Sequence, residues 1–251
     1  MSAAQLRNTS RYFIKESMMQ EYNDFPELID AKLIERASKF GTATLSDGIQ
    51  GLGVLRDGCM DASILPVDDS SVMIGTACTV ETKDGDNFPI HVAIYMGKPG
   101  YVLVIDGKGC QERAYLGDLM SGASKAIGFN GIVVDGLVRD KTGLKALKIP
   151  VFSKGYMQRS PIKRDRGKIN TPIMCAGAQV NPGDLVVGDH DGVIVIPRDK
   201  IEGVLMAAEK KAAYEEKRRI AIDDYSERRA AGRTDLPNLA PQWVLDMQKK
   251  M

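Results

Sequence analysis

The chain has 251 residues, enough for one large domain that buries roughly 70–75% of its unfolded surface without a staple. Its 34 Lys and Arg balance 33 Asp and Glu, which removes any general electrostatic drive towards nucleic acid or an anionic membrane. Cys59, Cys78, Cys110 and Cys175 are scattered without a CxxC pair, which argues for reduced thiols and against a disulfide frame or zinc knuckle. The first fifteen residues contain no apolar h-region, and no later run approaches the ~20 apolar residues of a membrane span. A soluble, cytoplasmic protein is expected.

From Pro26 to Phe40, Leu28, Ile29, Leu33 and Ala37 fall near helical spacing, with Pro26 and Glu27 at the start and Gly41 at the stop; this predicts a helix. Val72 to Thr82 is a β-branched run. It leads through the turn Asp84-Gly85-Asp86-Asn87 into a predicted helix, Phe88 to Met96, which Lys98-Pro99-Gly100 closes. Tyr101 to Asp106 and Gly131 to Asp135 are short apolar runs of the kind buried on both faces of a parallel sheet, with a helix from Gly117 to Ile127 between them. Four further strands are predicted at Pro150–Lys154, Pro172–Cys175, Asp184–Val187 and Gly192–Ile196. Their turn-to-strand alternation suggests a curled sheet packed against the α/β unit.

After Arg198 the chain becomes helical and charged, with Ile201, Val204, Leu205, Ala208 and Ala212 as its apolar stripe. A Pro-containing tail follows Gly232 and carries Trp243, Val244, Leu245 and Met247. Such a tail needs burial on its own core or on a neighbouring subunit. The expected organisation is an N-terminal helical arm over 1–40, an α/β catalytic core over 41–198 and a C-terminal charged helix and tail over 199–251.

The chemistry concentrates in Gly117-Asp118-Leu119-Met120 and Arg139-Asp140. A glycine-led helix start offers backbone N–H groups to an anion, and a guanidinium beside a carboxylate at a strand end suits an anionic substrate and a divalent metal. Twenty residues lie between Asp118 and Arg139, enough for a helix and a strand to bring both ends together. Plainer readings exist: a structural ion pair for Arg139 and Asp140, and an ordinary acidic first turn for Gly117-Asp118. His190 and Asp191 sit in a turn that explains them locally. His91 reads as a core or interface residue, and Lys163 to Lys168 as a solvated basic loop.

From about Gly41 to Arg198 these residues resemble the regulator of ribonuclease activity A-like proteins. That family includes the class II 4-hydroxy-4-methyl-2-oxoglutarate/4-carboxy-4-hydroxy-2-oxoadipate aldolases. The resemblance rests on Gly85-Asp86-Asn87 with His91, on Gly117 to Met120, on the spacing from Asp118 to Arg139-Asp140, on Cys175-Ala176-Gly177-Ala178, and on the run from Gly183 to Pro197. It implies an α-β-β-α sandwich of the RraA-like type, here with helical N- and C-terminal extensions, assembled as a homotrimer or homohexamer with its active site between subunits. It further implies a lyase that cleaves or decarboxylates a 2-oxo acid to pyruvate enolate, using Mg²⁺ or Mn²⁺. Carried onto this chain, Asp140 holds the metal, Arg139 and the N–H groups of Gly117 to Met120 hold the substrate, and Asp118 orders water or shuttles a proton.

One position departs from the family's pattern. The family's aldolases carry an acid three residues beyond the metal-binding Asp, and here that residue is Gly143. Decarboxylation of oxaloacetate needs no base at an alcohol and survives the loss more easily than aldol cleavage. The competing functional class is a non-catalytic regulator that binds a ribonuclease or helicase. A methyltransferase gains no support, since no Rossmann-type glycine loop follows the first strand. A lysine Schiff base, on Lys108 or Lys141, is the alternative chemistry for making the same product.

Overall fold

The computed structural model describes residues 22–53 and 58–250; the start of the predicted N-terminal arm lies outside them. Among the described residues two short helices come first, α1 (Ala31–Ala37) and α2 (Thr42–Gly51). The α1 helix starts later than its apolar spacing predicts, because Asp30 caps it by accepting the Lys32 N–H at 2.7 Å. The residues before Asp30 are committed elsewhere: the Ile29 N–H donates to Thr76 Oγ1 at 3.0 Å, and the Tyr101 hydroxyl donates to the Pro26 carbonyl.

An eight-stranded sheet forms the centre. Its parallel heart is β2 (Met73–Glu81), β3 (Tyr101–Ala114), β4 (Gly131–Val138) and β5 (Val151–Tyr156). Three helices connect them: α3 (Phe88–Met96), α4 (Asp118–Ile127) and α5 (Lys141–Leu147). At one edge β1 (Leu65–Pro66) pairs antiparallel with β5. On the other side β9 (Leu185–Asp189) pairs antiparallel with β2, followed by β10 (Gly192–Ile196), while β6 (Lys168–Ile169) pairs with the far end of β2.

The later strands therefore do not build a second curled sheet. β5, β9 and β10 extend the same sheet, because the backbone groups of β5 find partners on β4, those of β9 on β2 and those of β10 on β9. The short hairpin of β7 (Ile173–Cys175) and β8 (Ala178–Val180) stands apart and covers one face. The third strand also exceeds its apolar run. It continues through register shifts around Cys110, with Lys108 (φ 56°) and Gly109 (φ 68°) in the left-handed region, and pairs Ala114 with Leu137. These bulges carry β3 on to the start of α4.

The sheet is buried on both faces. Ile90, Ala93 and Ile94 of α3 and Leu144 of α5 pack with Leu103, Ile105, Ile132 and Val134 on one face. Val102, Val104, Val133 and Phe152 pack under the β7–β8 hairpin on the other. Each fully buried side chain of this size contributes about 1.5–3 kcal/mol by leaving water. A third cluster joins β9 and β10 to α1, α2 and the first turns of α6 (Ile201–Ala230), through Ile201, Val204, Leu205 and Ala208. Beyond those turns α6 projects, and the tail with α7 (Gln242–Gln248) returns along it, Arg218 Nη2 donating to the Leu239 carbonyl at 2.6 Å. Trp243 stays 62% exposed, so this chain's own core does not bury it. Among the described residues no helix is long and apolar enough to cross a membrane.

Candidate active site

The β4 strand ends at Val138 and delivers Arg139 and Asp140 at the mouth of the parallel sheet. Asp140 adopts a left-handed conformation (φ 60°) that turns the chain into α5, whose first bond runs from the Leu144 N–H to the Asp140 carbonyl at 2.9 Å. Such a φ is uncommon for a residue with a side chain, and Asp is among the types that tolerate it best.

Beside it, Tyr115 to Gly117 run along the end of β4. The Tyr115 N–H donates to the Leu137 carbonyl at 2.8 Å, and the Arg139 N–H donates to the Leu116 carbonyl at 3.0 Å. This pairing seats Gly117, the residue before α4, against Arg139 and Asp140. A Cβ on Gly117 would lie 2.1 Å from Asp140 Oδ2 and 2.9 Å from Arg139 Cγ. Glycine is required for close approach, since its φ of −141° suits any residue.

Asp118 opens α4, and its carboxylate lies over α5: a Cβ on Gly143 would meet Asp118 Oδ2 at 2.6 Å. Gly143 thus leaves room for Asp118. Gly117, Asp118, Arg139 and Asp140 therefore share one locality, with the positive end of α4 pointing into it. Of the predicted substrate-binding residues, Leu119 is 85% exposed and Met120 half-buried. The Arg139 Nε sits 3.3 Å from Asp140 Oδ2, with the two side chains 38% and 40% exposed. A pair this exposed contributes about 0–1 kcal/mol.

The donor set suits a hard cation. Asp118 and Asp140 offer carboxylate oxygens, and among the described residues no group of three His, Cys, Asp or Glu side chains forms a closed cage. Magnesium-like ions bind through one or two carboxylates and keep several waters or substrate oxygens. The residues present fit that requirement, with Asp140 beside Arg139 and Asp118 beside Gly143.

Sequence reasoning missed the residues that support this site. Tyr115 is fully buried, and its hydroxyl donates to the Gly107 carbonyl at 2.6 Å while accepting the Gly85 N–H at 3.0 Å. Burial pushes its phenol up to about 12, so it remains a donor at neutral pH. Asn87 donates from Nδ2 to the Tyr115 carbonyl at 2.8 Å and contacts Met120 Sδ at 3.3 Å. Ser160 accepts from Arg139 Nη1 at 3.0 Å. Lone polar residues such as these carry no spacing signal; the Gly85-Asp86-Asn87 turn is the one local cue.

Other candidates lie elsewhere or take structural roles. His190 and Asp191 are exposed in the β9–β10 turn, where Asp189 accepts the Thr42 N–H at 2.8 Å and the Asp191 N–H at 3.0 Å. His91 stacks on Tyr95 with ring centroids 6.4 Å apart. Asp86 Oδ2 accepts the N–H groups of Arg164 and Asp165 at 2.8 and 2.9 Å, so the basic loop is stapled to the turn before α3.

Comparison with known proteins agrees with this architecture. The RraA-like family model, described as Aldolase/RraA, matches residues 42–195. A relative from Halalkalibacterium halodurans, named "Putative 4-hydroxy-4-methyl-2-oxoglutarate aldolase", is 43% identical over 183 residues, covering 73% of this chain and 85% of its own. RraAS2 of Streptomyces coelicolor, described as an unusual member of the RNase ES inhibitor RraA protein family, superposes with a TM-score of 0.70 at 26% identity, covering 77% of this chain and 98% of its own. An uncharacterized protein from Pseudomonas syringae gives the same TM-score at 27% identity, with 79% and 96% coverage. On the match to its core and the similarity along most of its length, this chain belongs to the RraA-like family.

Proposed function

We propose that the chain is a divalent-metal-dependent lyase that cleaves a 4-hydroxy-2-oxo acid or decarboxylates oxaloacetate to give pyruvate. The observation that carries this reading is the convergence of the Gly117 helix start with Arg139 and Asp140. The N–H groups at the start of α4 and the Arg139 fork hold the substrate's 2-oxo carboxylate, an anion at the positive end of a helix. A bound Mg²⁺ or Mn²⁺ supplies Lewis-acid polarisation of substrate oxygens.

The bond between C3 and C4 breaks, and its electron pair stays on C3 as the enolate of pyruvate. In decarboxylation C4 leaves as carbon dioxide. In aldol cleavage the C4 hydroxyl loses its proton and C4 leaves as a carbonyl. Asp118 is the carboxylate beside the Gly143 position and serves as the proton shuttle: in aldol cleavage it takes the C4 hydroxyl proton and passes it to C3, and in decarboxylation it relays to C3 a proton taken from water. With no acid at residue 143 itself, decarboxylation is the less demanding reaction.

In this reading the active unit is a homotrimer or homohexamer with the site between subunits. Leu119, exposed beside Asp118, and Trp243, exposed on the tail, are the side chains a neighbouring copy would cover. Similarity to RraAS2 supports a second reading, a non-catalytic regulator of a ribonuclease. The deciding experiment is a pyruvate-release screen over oxaloacetate and several 4-hydroxy-2-oxo acids, with and without Mg²⁺ or Mn²⁺. Metal-dependent release supports the lyase; no turnover on any substrate favours the regulator.

A further inference from the structure

Two guanidinium groups meet at Ser160. Arg139 Nη1 donates to its Oγ at 3.0 Å, and Arg113 Nη1 donates to its carbonyl oxygen at 2.7 Å. One serine spans both bonds, so the two nitrogens lie within about 10 Å of each other.

Arg113 is placed there by its surroundings. It stands at the end of β3, where the next residue, Ala114, donates its N–H to the Arg159 carbonyl at 3.0 Å, and Tyr115 is the buried anchor described above. Its stem runs along Gly85, where a Cβ would lie 2.8 Å from Arg113 Cδ and where φ is 69°. A glycine is needed for both reasons. The side chain is half-buried, and among the described residues no carboxylate pairs with it. Arg139, by contrast, is partly neutralised by Asp140. Positive charge that no acid answers therefore sits on Arg113, one serine away from the residue that holds the substrate's first carboxylate. Tethering Ser160 uses one of five donors, so the rest of the planar fork remains available to an anion.

We propose that Arg113 is a specificity-determining residue of this site. It binds a second, distal carboxylate of the substrate and so selects 2-oxo dicarboxylates over 2-oxo monocarboxylates. This rests on the lyase reading of the same site. A carboxylate matches the fork in two parallel hydrogen bonds, whereas a methyl or hydroxymethyl group at that end leaves the guanidinium unanswered.

The test uses the full chain with Mg²⁺ and two substrates that break the same bond: 4-hydroxy-4-methyl-2-oxoglutarate and its mono-acid analogue 4-hydroxy-4-methyl-2-oxopentanoate. Wild type should prefer the diacid by at least tenfold in kcat/KM. Arg113→Gln, which can still donate to the Ser160 carbonyl, should raise KM for the diacid about tenfold and leave the mono-acid nearly unchanged, erasing the preference. Arg113→Lys should recover part of it. Thermal unfolding of each variant and calorimetric titration with oxaloacetate and pyruvate accompany the kinetics. Equal losses on both substrates, or none on either, would overturn the assignment while leaving the lyase standing. A folded wild type that neither turns over nor binds any of these acids would sink the lyase reading and the Arg113 assignment with it.

Discussion

Gly117 and Asp140 compete for the same space: a Cβ on the glycine would stand 2.1 Å from the Asp140 carboxylate oxygen. The backbone at Gly117 is extended and suits alanine, so the cost of Gly117→Ala falls on the neighbour. Overpacking of this kind costs about 1–3 kcal/mol. The variant should fold, with kcat/KM for pyruvate release down by at least tenfold because both Arg139 and Asp140 are pushed. Wild-type kinetics from a folded alanine variant would show that this contact does not serve the site.

Substitution of the pair itself should separate two roles. Asp140→Asn keeps the shape and removes the charge that holds a cation, so metal affinity and turnover should fall together. Arg139→Lys keeps the charge and loses the fork, so KM should rise about tenfold while metal affinity survives. The two side chains are 38% and 40% exposed, so thermal unfolding should hardly change in either. Folded variants with unchanged turnover would remove both residues from the mechanism.

Chelation should abolish pyruvate release, and added Mg²⁺ or Mn²⁺ should restore it. Of the lysines that would offer a Schiff-base route, Lys108 is held as a cation. Burial pulls the Lys108 ammonium down, but Asp106 and Glu81 outweigh it and hold its pKa above the ordinary value. The Lys141 ammonium lies 4.7 Å from the centre of the Tyr156 ring. Borohydride trapping of pyruvate on either lysine, with activity surviving EDTA, would overturn the metal mechanism.

Gly143→Ala should split stability from activity. Alanine gains about 1 kcal/mol of helix propensity over glycine. Its Cβ would meet Asp118 Oδ2 at 2.6 Å, and displacing that carboxylate should lower kcat several-fold, as should Asp118→Asn. Equal kcat for wild type and the alanine variant would free Asp118 from the proton-transfer role.

His91 should make stability depend on pH in one direction. Burial first, and then the Lys163 charge, hold its folded pKa below the ordinary histidine value of 6.5. The folded state therefore binds this proton less tightly than the unfolded chain does. The contribution is fully present above pH 6.5 and is lost as pH falls from there through the lowered folded value. The drop in Tm between pH 8 and pH 5 should be smaller in His91→Gln than in wild type; an equal drop would mean that His91 does not contribute.

Local pattern alone determined much of this protein. The α3 and β10 boundaries follow from apolar runs and their punctuation, and α4 differs from its expected span only in taking Gly117 as its cap. The spacing also anticipated that Gly117, Asp118, Arg139 and Asp140 meet, because a helix start and a strand end separated by one helix and one strand return to the same edge of a parallel sheet. Tertiary structure decided the rest. It prolonged β3 through bulges that no propensity suggests, since pairing with β4 rewards an otherwise strand-poor sequence. It placed β9 and β10 in the central sheet, because unpaired backbone groups along β2 had to be satisfied. Only the folded chain brings Arg113, Ser160, Asn87 and Tyr115 to the site. Contacts across tens of residues depend on how layers stack, and no local periodicity encodes that.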